Sequence, residues 1–344
     1  MTLAYSAKRG FSHDPEKHPQ GPKTGILLTN LGTPEAPTKE ALKVYLKEFL
    51  WDPRVVEMPR WKWWLILNGI ILNTRPAKSA EAYKSVWTEH GSPLMLHSLD
   101  QQAGLQKALG DDVHVELAMR YGNPSIASGL RNLRDKGCTR ILLFPLYPQY
   151  SATTTGSTFD AVADELKSWR RVPGIRMIDS YHDHPAYIEA LAASVRRYWD
   201  AHGKPDRLLM SFHGIPQRYF DGGDPYPCLC RKTGRLLAES LELKEGEWKV
   251  TYQSRFGKEP WVTPYTDETL KQWGAEGLGR VDVICPGFSS DCLETIEEIG
   301  EENREYFEEA GGKELRYIPA LNSDAEHIRA LAEIVSTHLG SWID

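Results

Sequence analysis

Eight short apolar runs recur along this chain, and amphipathic stretches separate most of them. The runs cover residues 25–31, 113–120, 139–147, 175–181, 207–213, 248–253, 281–287 and 314–318. The stretches between them, such as 187–202, 233–243, 291–310 and 324–339, read as amphipathic helices. Apolar strands alternating with helices predict parallel sheets covered by helices on both faces. Right-handed crossovers then leave few topologies. Four strands fall before Pro185 and four after it. The expectation is two similar α/β domains, each with a four-stranded parallel sheet flanked by helices, and a cleft between them. An arm is expected at 1–22 and the first domain at 23–183, with a helical insertion at 33–111 that walls the cleft. The second domain is expected at 184–320 and a C-terminal helix at 321–344.

Charge and cysteine content exclude several classes. The formal net charge of −6 gives no basic excess for nucleic acid. Five cysteines, an odd number without a disulfide framework, fit a reducing compartment and a cytoplasmic protein. The first 22 residues are polar, with Pro15, Pro19, Gly21 and Pro22, and lack the apolar stretch of a signal peptide. His13 and His18 in that arm are expected to be solvated. No segment reaches the roughly 20 apolar residues of a membrane span. The nearest, Trp61 through Leu72, has two readings: a buried helix, or an interfacial helix dipping into lipid with Arg60 and Lys62 at the headgroups.

Two segments carry candidate chemistry. The run 208–212 ends in His213, followed by Gly214-Ile215-Pro216. In an open α/β sheet the carboxyl ends of the strands face the ligand crevice. His213 is either a satisfied structural residue or an imidazole placed there to accept a proton or bind a divalent ion. After the run 281–287, Asp291, Glu294, Glu298 and Glu301 or Glu302 recur at three or four residues, on one face of a helix. On spacing alone this is a capped, solvated face, with Asp291 as N-cap and Glu294 as its capping-box partner. Position gives the other reading, because the preceding strand delivers the helix start to the crevice. A third segment, Phe144 to Ser157, joins a strand to a helix through Tyr147, Tyr150 and Ser151-Ala152-Thr153-Thr154-Thr155. It is either an ordinary capped turn or a seat for a carboxylate or phosphate. Without P-loop or dinucleotide glycine spacing, nucleotide binding is disfavoured. Cys228-Leu229-Cys230 is not a Cys-x-x-Cys pair, and with Cys285 and Cys292 it is more simply a set of free cysteines than a four-thiolate site.

Several motifs in order resemble the ferrochelatase family. They are Asn30-Leu31-Gly32-Thr33-Pro34, Ala118-Met119-Arg120-Tyr121-Gly122-Asn123-Pro124 and Leu146-Tyr147-Pro148-Gln149-Tyr150-Ser151, then Ser211-Phe212-His213-Gly214-Ile215-Pro216. Gly223-Asp224-Pro225-Tyr226-Pro227, Gln253-Ser254-Arg255-Phe256-Gly257 and Ser290-Asp291-Cys292-Leu293-Glu294-Thr295 complete the set, which looks most like the proteobacterial branch. The resemblance implies two Rossmann-like chelatase domains around a porphyrin cleft, and insertion of Fe²⁺ into protoporphyrin IX. It implies His213 as pyrrole proton acceptor, His213 and Glu294 as metal contacts, and Asp291 as an adjacent catalytic acid. Glu298 and Glu302 continue the acidic path, and Leu31, Arg120, Tyr147 and Tyr150 contact the porphyrin.

Departures from the family pattern refine these expectations. Animal members have histidine where this chain has Cys292. No cysteine follows Cys292, so no iron–sulfur cluster of the C-terminal type and no dimer built by such an extension are expected. Iron is then the substrate, no resident cofactor is implied, and the chain is expected to be a monomer. Relatives acting on coproporphyrin tend to carry tyrosine where this chain has Leu31, which suits a vinyl edge. Coproporphyrin III insertion and a non-catalytic tetrapyrrole-binding protein are the alternatives. The tryptophan-rich segment suits a greasy substrate exchanged at the inner face of a membrane.

Overall fold

The computed structural model describes residues 22–342. Apart from Pro22, the expected arm with His13 and His18 lies outside the described residues. Eight strands form two sheets: β1 (Lys23–Gly32), β2 (Val113–Tyr121), β3 (Cys138–Pro145) and β4 (Gly174–Met177), then β5 (Arg207–His213), β6 (Trp248–Gln253), β7 (Arg280–Ile284) and β8 (Glu314–Tyr317). The sheets have orders β2-β1-β3-β4 and β6-β5-β7-β8, and every neighbouring pair is parallel. The two halves therefore repeat one topology, as the alternation of runs and helices predicts. In each sheet the first strand lies centrally, with the next strand on one side and the third on the other. Ligands bind at such a reversal, outside the carboxyl ends of the strands.

The second half packs α7 (Pro185–His202), α8 (Gln217–Asp221), α9 (Tyr226–Ser240), α10 (Thr266–Ala275), α11 (Leu293–Ile296), α12 (Arg304–Glu309) and α13 (Ala325–Leu339) around its sheet. The first half has α1 (Lys39–Trp51), α2 (Arg60–Ile66), α3 (Leu72–Val86), α4 (Pro93–Leu109), α5 (Ile126–Asp135) and α6 (Ser157–Leu166). Alternate side chains of each strand serve different layers. Leu27 joins an outer core under α5 and α6, and Leu209 joins another with residues of α10 and α12. Ile26, Leu28, Met119 and Phe144 of the first sheet share one continuous core with Leu208, Met210 and Phe212 of the second. Helices α7, α9 and α13 complete that layer. Each such buried Leu or Phe contributes roughly 1.5–3 kcal/mol relative to exposure, so the halves are joined by their interior. Helix α13 reaches back to the first half. Arg176 donates to the carbonyl of His338 (2.9 Å), and Thr24 Oγ1 to that of Trp342 (3.2 Å).

Four helices, α1 to α4, form the insertion between β1 and β2. A π-helical turn, Leu67–Ile71, joins α2 to α3. Trp63, Leu67 and Leu72 are buried, whereas Trp61, Trp64, Leu65 and Ile70 stand more than half exposed, from 54% to 66%. The segment 61–72 is thus two-faced, which corrects the fully buried reading.

Other boundaries shift for identifiable reasons. The run 281–287 leaves the sheet after Ile284, and Pro286 has no N–H for a ladder. The run 175–181 keeps one further ladder bond, Ile178 N–H to Leu143 O (3.0 Å), before it turns away. The helix expected at 233–243 starts earlier, at Tyr226, with Pro227 in its first turn. The helix expected at 291–310 is broken into α11, a π-helical segment Glu298–Asn303, and α12.

Gly32 ends β1 at the cleft with φ +110°, and a Cβ there would stand 1.9 Å from the carbonyl oxygen of Tyr121. Backbone cannot yield as a side chain does. Gly32→Ala is expected to lower unfolding free energy by about 3 kcal/mol or more, or to prevent folding; a urea midpoint within error of wild type would contradict this.

Candidate active site

A cleft of about 960 Å³, counted out to open solvent, lies where the two reversal points meet. The first half contributes Asn30 to Thr33 at the end of β1 and Leu146 and Tyr147 after β3. The second contributes His213 at the end of β5, Ile215 just beyond it, and Gly287 to Ser290 with Cys292 to Glu294 after β7. Helices α1 and α3 of the insertion close it with Tyr45 and Tyr83. Among the described residues that line it, His213 carries the one imidazole and Glu294 the one carboxylate.

His213 ends β5, and its side chain emerges from a strand whose preceding five residues are buried. Its Nδ1 lies 2.7 Å from the carbonyl oxygen of Gly214. A carbonyl only accepts, so Nδ1–H donates and the neutral ring keeps its lone pair on Nε2. The next turn is pinned to the neighbouring strand by Gly214 N–H to Gln253 O (2.8 Å). Trp261 flanks the imidazole, with ring centroids 6.5 Å apart.

Glu294 sits in the first turn of α11. The N-cap is Cys292, whose N–H donates to Thr295 Oγ1 (3.0 Å), so the expected Asp291/Glu294 capping box is shifted by one residue. Beyond α11 the acids do not share one helical face. The π segment uses bonds five residues long, as in Glu302 N–H to Glu297 O (2.9 Å). Glu302 consequently neighbours Glu297 and also accepts from Tyr306 Oη (2.6 Å). Glu298 turns toward the end of β6, accepting from Ser254 N–H (2.7 Å), Ser254 Oγ (2.5 Å) and Gln253 Nε2 (3.1 Å). Burial pushes the Glu298 carboxyl above the usual carboxylate range, against the pull of those donors and of His213. Burial also raises Glu297, and the charges of Glu302, Glu298, Glu301 and Glu294 raise it further. Sequence spacing passed over Glu297, because only the π turn brings it into the ladder.

Three expected site residues lie elsewhere. Asp291 is buried and does not line the cleft. Its carboxylate accepts from Tyr317, Thr295 and Asn322, which corrects its placement beside Glu294 as a second cleft acid. Arg120 is committed to buried Asp52 (2.5 Å) and to Ser157 Oγ (2.6 Å), behind the cleft wall. Tyr150 points its hydroxyl toward Gly156 and Arg54, outside the lining. Leu31 and Tyr147 do line the cleft, and the buried Tyr147 hydroxyl has no hydrogen-bond partner. The anion seat read at Ser151-Ala152 is filled from within, since Asp224 Oδ2 accepts from Ser151 Oγ and Ala152 N–H, both at 2.8 Å. Tyr45, Tyr83, Tyr226 and Phe288 line the cleft unforeseen; the aromatic content of the insertion was the available signal for the first two.

Fold and cleft together define a two-lobed α/β protein of the chelatase type. The structure of SirB from Bacillus subtilis with Fe³⁺ shares the fold, with a TM-score of 0.54 at 13% identity over 93% of this chain and 97% of that one. CbiX, described as the terminal enzyme for siroheme biosynthesis in denitrifying bacteria, aligns with a TM-score of 0.50 at 12% identity over 92% and 100%. The chain belongs to the ferrochelatase family, whose sequence model matches residues 23–339. A ferrochelatase of Thioalkalivibrio sulfidiphilus is 62% identical over 322 residues, covering 92% of this chain and 87% of the relative. One from Idiomarina loihiensis is 55% identical over 344 residues, covering 99% and 93%. Membership makes the chain an enzyme that inserts iron into a porphyrin.

The raised carboxyls have a measurable consequence. The native state holds these protons more tightly than the unfolded chain, so their contribution to stability is present at low pH and declines as pH rises through the raised values. Glu297→Gln removes one such group. Its unfolding free energy is expected to fall less steeply between pH 4.5 and pH 7 than that of wild type, by urea titration; parallel curves would show that Glu297 is not perturbed.

Proposed function

We propose that this enzyme inserts Fe²⁺ into protoporphyrin IX to give protohaem, with His213 as the acceptor of a pyrrole proton. The observation that carries this reading is the free Nε2 lone pair of His213 in the same apolar cleft as the Glu294 carboxylate. A free-base porphyrin releases two N–H protons as the dication enters, so one Fe²⁺ replaces two H⁺ and no electron changes hands. Nε2 accepts one of these protons at the strand end, and the other leaves to solvent. Glu294 meets the partly hydrated cation, and both side chains suit Fe²⁺ as ligands. Glu297, Glu298 and Glu302 extend negative potential from the cleft to the surface. The apolar walls and the tyrosines bind the ring, and that binding energy can bend the macrocycle until its nitrogens are exposed. Iron serves as substrate, and the reading requires no resident cofactor.

Leu31 supports protoporphyrin over coproporphyrin III, because an apolar side chain on the lining favours a vinyl group over another carboxylate. His213→Ala is expected to slow anaerobic iron insertion by about a hundredfold or more, with porphyrin affinity within a few-fold of wild type. Unchanged turnover would remove His213 from its role. Wild type offered both porphyrins should prefer protoporphyrin IX; preference for coproporphyrin III would overturn the substrate assignment, and binding without insertion would leave a tetrapyrrole carrier.

The exposed face of the insertion supports peripheral contact with a membrane. No helix among the described residues is long and apolar enough to cross one. Trp61, Trp64, Leu65 and Ile70 project outward, with Arg60 against the Trp51 ring and Lys62 against the Trp61 ring. Apolar tips ringed by cations suit an anionic headgroup layer. On this reading the enzyme is a cytoplasmic monomer that meets the inner membrane face through its lip. Trp61→Glu with Trp64→Glu should abolish co-sedimentation with vesicles containing phosphatidylglycerol while leaving turnover in detergent unchanged; undiminished sedimentation would sink the contact.

A further inference from the structure

Asp291 precedes α11 by two residues, and each of its carboxylate oxygens is occupied. Oδ1 accepts from Tyr317 Oη (2.6 Å), Thr295 Oγ1 (3.0 Å) and the N–H of Ala320 (3.3 Å). Oδ2 accepts from Asn322 Nδ2 (2.7 Å), and Asn322 Oδ1 accepts from the backbone N–H of Asp291 (2.8 Å). Asn322 therefore grips residue 291 twice, once by its side chain and once by its main chain.

Asn322 is itself held from several directions. Its φ of +45° lies in the left-handed region, which asparagine tolerates better than most residues. Its N–H donates to Ser289 O (3.1 Å). Its carbonyl accepts from Gln101 Nε2 (2.9 Å) on α4 and from His327 Nδ1 (2.7 Å) on α13. Burial pushes the His327 pKa down to about 4, so that ring is a neutral donor. Gln101 Nε2 also donates to Ser289 O (2.9 Å). One turn thus ties the insertion of the first half, the loop after β7 and the last helix together. The tie passes on: Thr295 Oγ1 donates to Asp291 and accepts from Cys292 N–H (3.0 Å), and Glu294 lies between those two residues.

We propose that Asp291 and Asn322 are a positioning pair, whose complementary double hydrogen bond sets the start of α11 and with it the place of the Glu294 carboxylate. The proposal rests on the role given to Glu294 above, and it takes Asp291 out of the acid chemistry of the cleft.

Exchanging the two side chains tests it. Asp291→Asn alone sets an amide NH₂ against the NH₂ of Asn322, and Asn322→Asp alone sets carboxylate against carboxylate. In the double variant every bond is restored with the charge moved. The amide oxygen at 291 still accepts from Tyr317, Thr295 and Ala320, its NH₂ donates to the carboxylate at 322, and that carboxylate accepts from the N–H of 291. Each single variant should lower kcat for Fe²⁺ insertion by about tenfold to a hundredfold with KM for porphyrin little changed. The double should return to within about fivefold of wild type. Melting temperatures should follow the same cycle.

A double variant that folds and binds protoporphyrin but stays as slow as the singles would show that the carboxylate is needed at 291 itself, and would overturn the proposal. A double variant that does not fold would overturn it as well, since the exchanged pair is claimed to be complementary. If a single variant does not fold, the double variant decides. Wild type unable to insert iron would refute the function assigned above, while the melting cycle would still decide whether the pair is complementary.

Discussion

Parallel strands leave both faces of a sheet apolar and leave their carboxyl ends pointing one way. In this molecule β1 lies between β2 and β3, and β5 between β6 and β7. From that arrangement the remainder follows. Helices must cover both faces, and the chain must reverse direction at the central strand, which opens a crevice there. One interior is continuous across both sheets, so the two crevices are fixed against each other and make a single cleft. The imidazole and the carboxylate come from strand ends and the segments that follow them, and α1 and α3 add Tyr45 and Tyr83 to the walls.

The site divides polar work between two surroundings. His213 keeps one nitrogen bound to its own turn and the other free, so its tautomer is decided by the backbone before any substrate arrives. The acids beyond Glu294 pass from burial to exposure along the π segment, and Glu298 and Glu297 carry raised pKa values for related reasons. Desolvation acts on both, and like charges act on each. On the metal path proposed above, a dication passing along them would relieve that repulsion.

The two central strands, β1 and β5, were the most legible in the sequence because each is buried on both faces. β5 and β6 begin and end where the apolar pattern does. His213 was legible as well, since a polar residue closing such a run has only the crevice to face. What the sequence hid depended on partners distant along the chain. Arg120 is taken by Asp52, and Asp224 fills the seat at Ser151-Ala152; neither pairing leaves a local trace. The acidic ladder was misread for a different reason. Periodicity assumes one helical pitch, and a π segment changes the pitch without a distinctive residue pattern. Asp291 looked like an N-cap by spacing, yet β8 and the turn at Asn322 supply its donors.

The return of α13 to the first half bears on how the protein is made. Ile334, Val335 and Leu339 belong to the same interior as Ile26 and Phe144, and Gly104 of α4 lies so close to Ile328 that a Cβ would stand 2.9 Å from its Cδ1. The inner face of the first sheet, which α4 covers in part, is therefore completed only once α13 has been made. The N-terminal half thus completes its core only after the C-terminal helix has been made. Loss of the C-terminal helix by truncation would expose the part of the chain that was translated first.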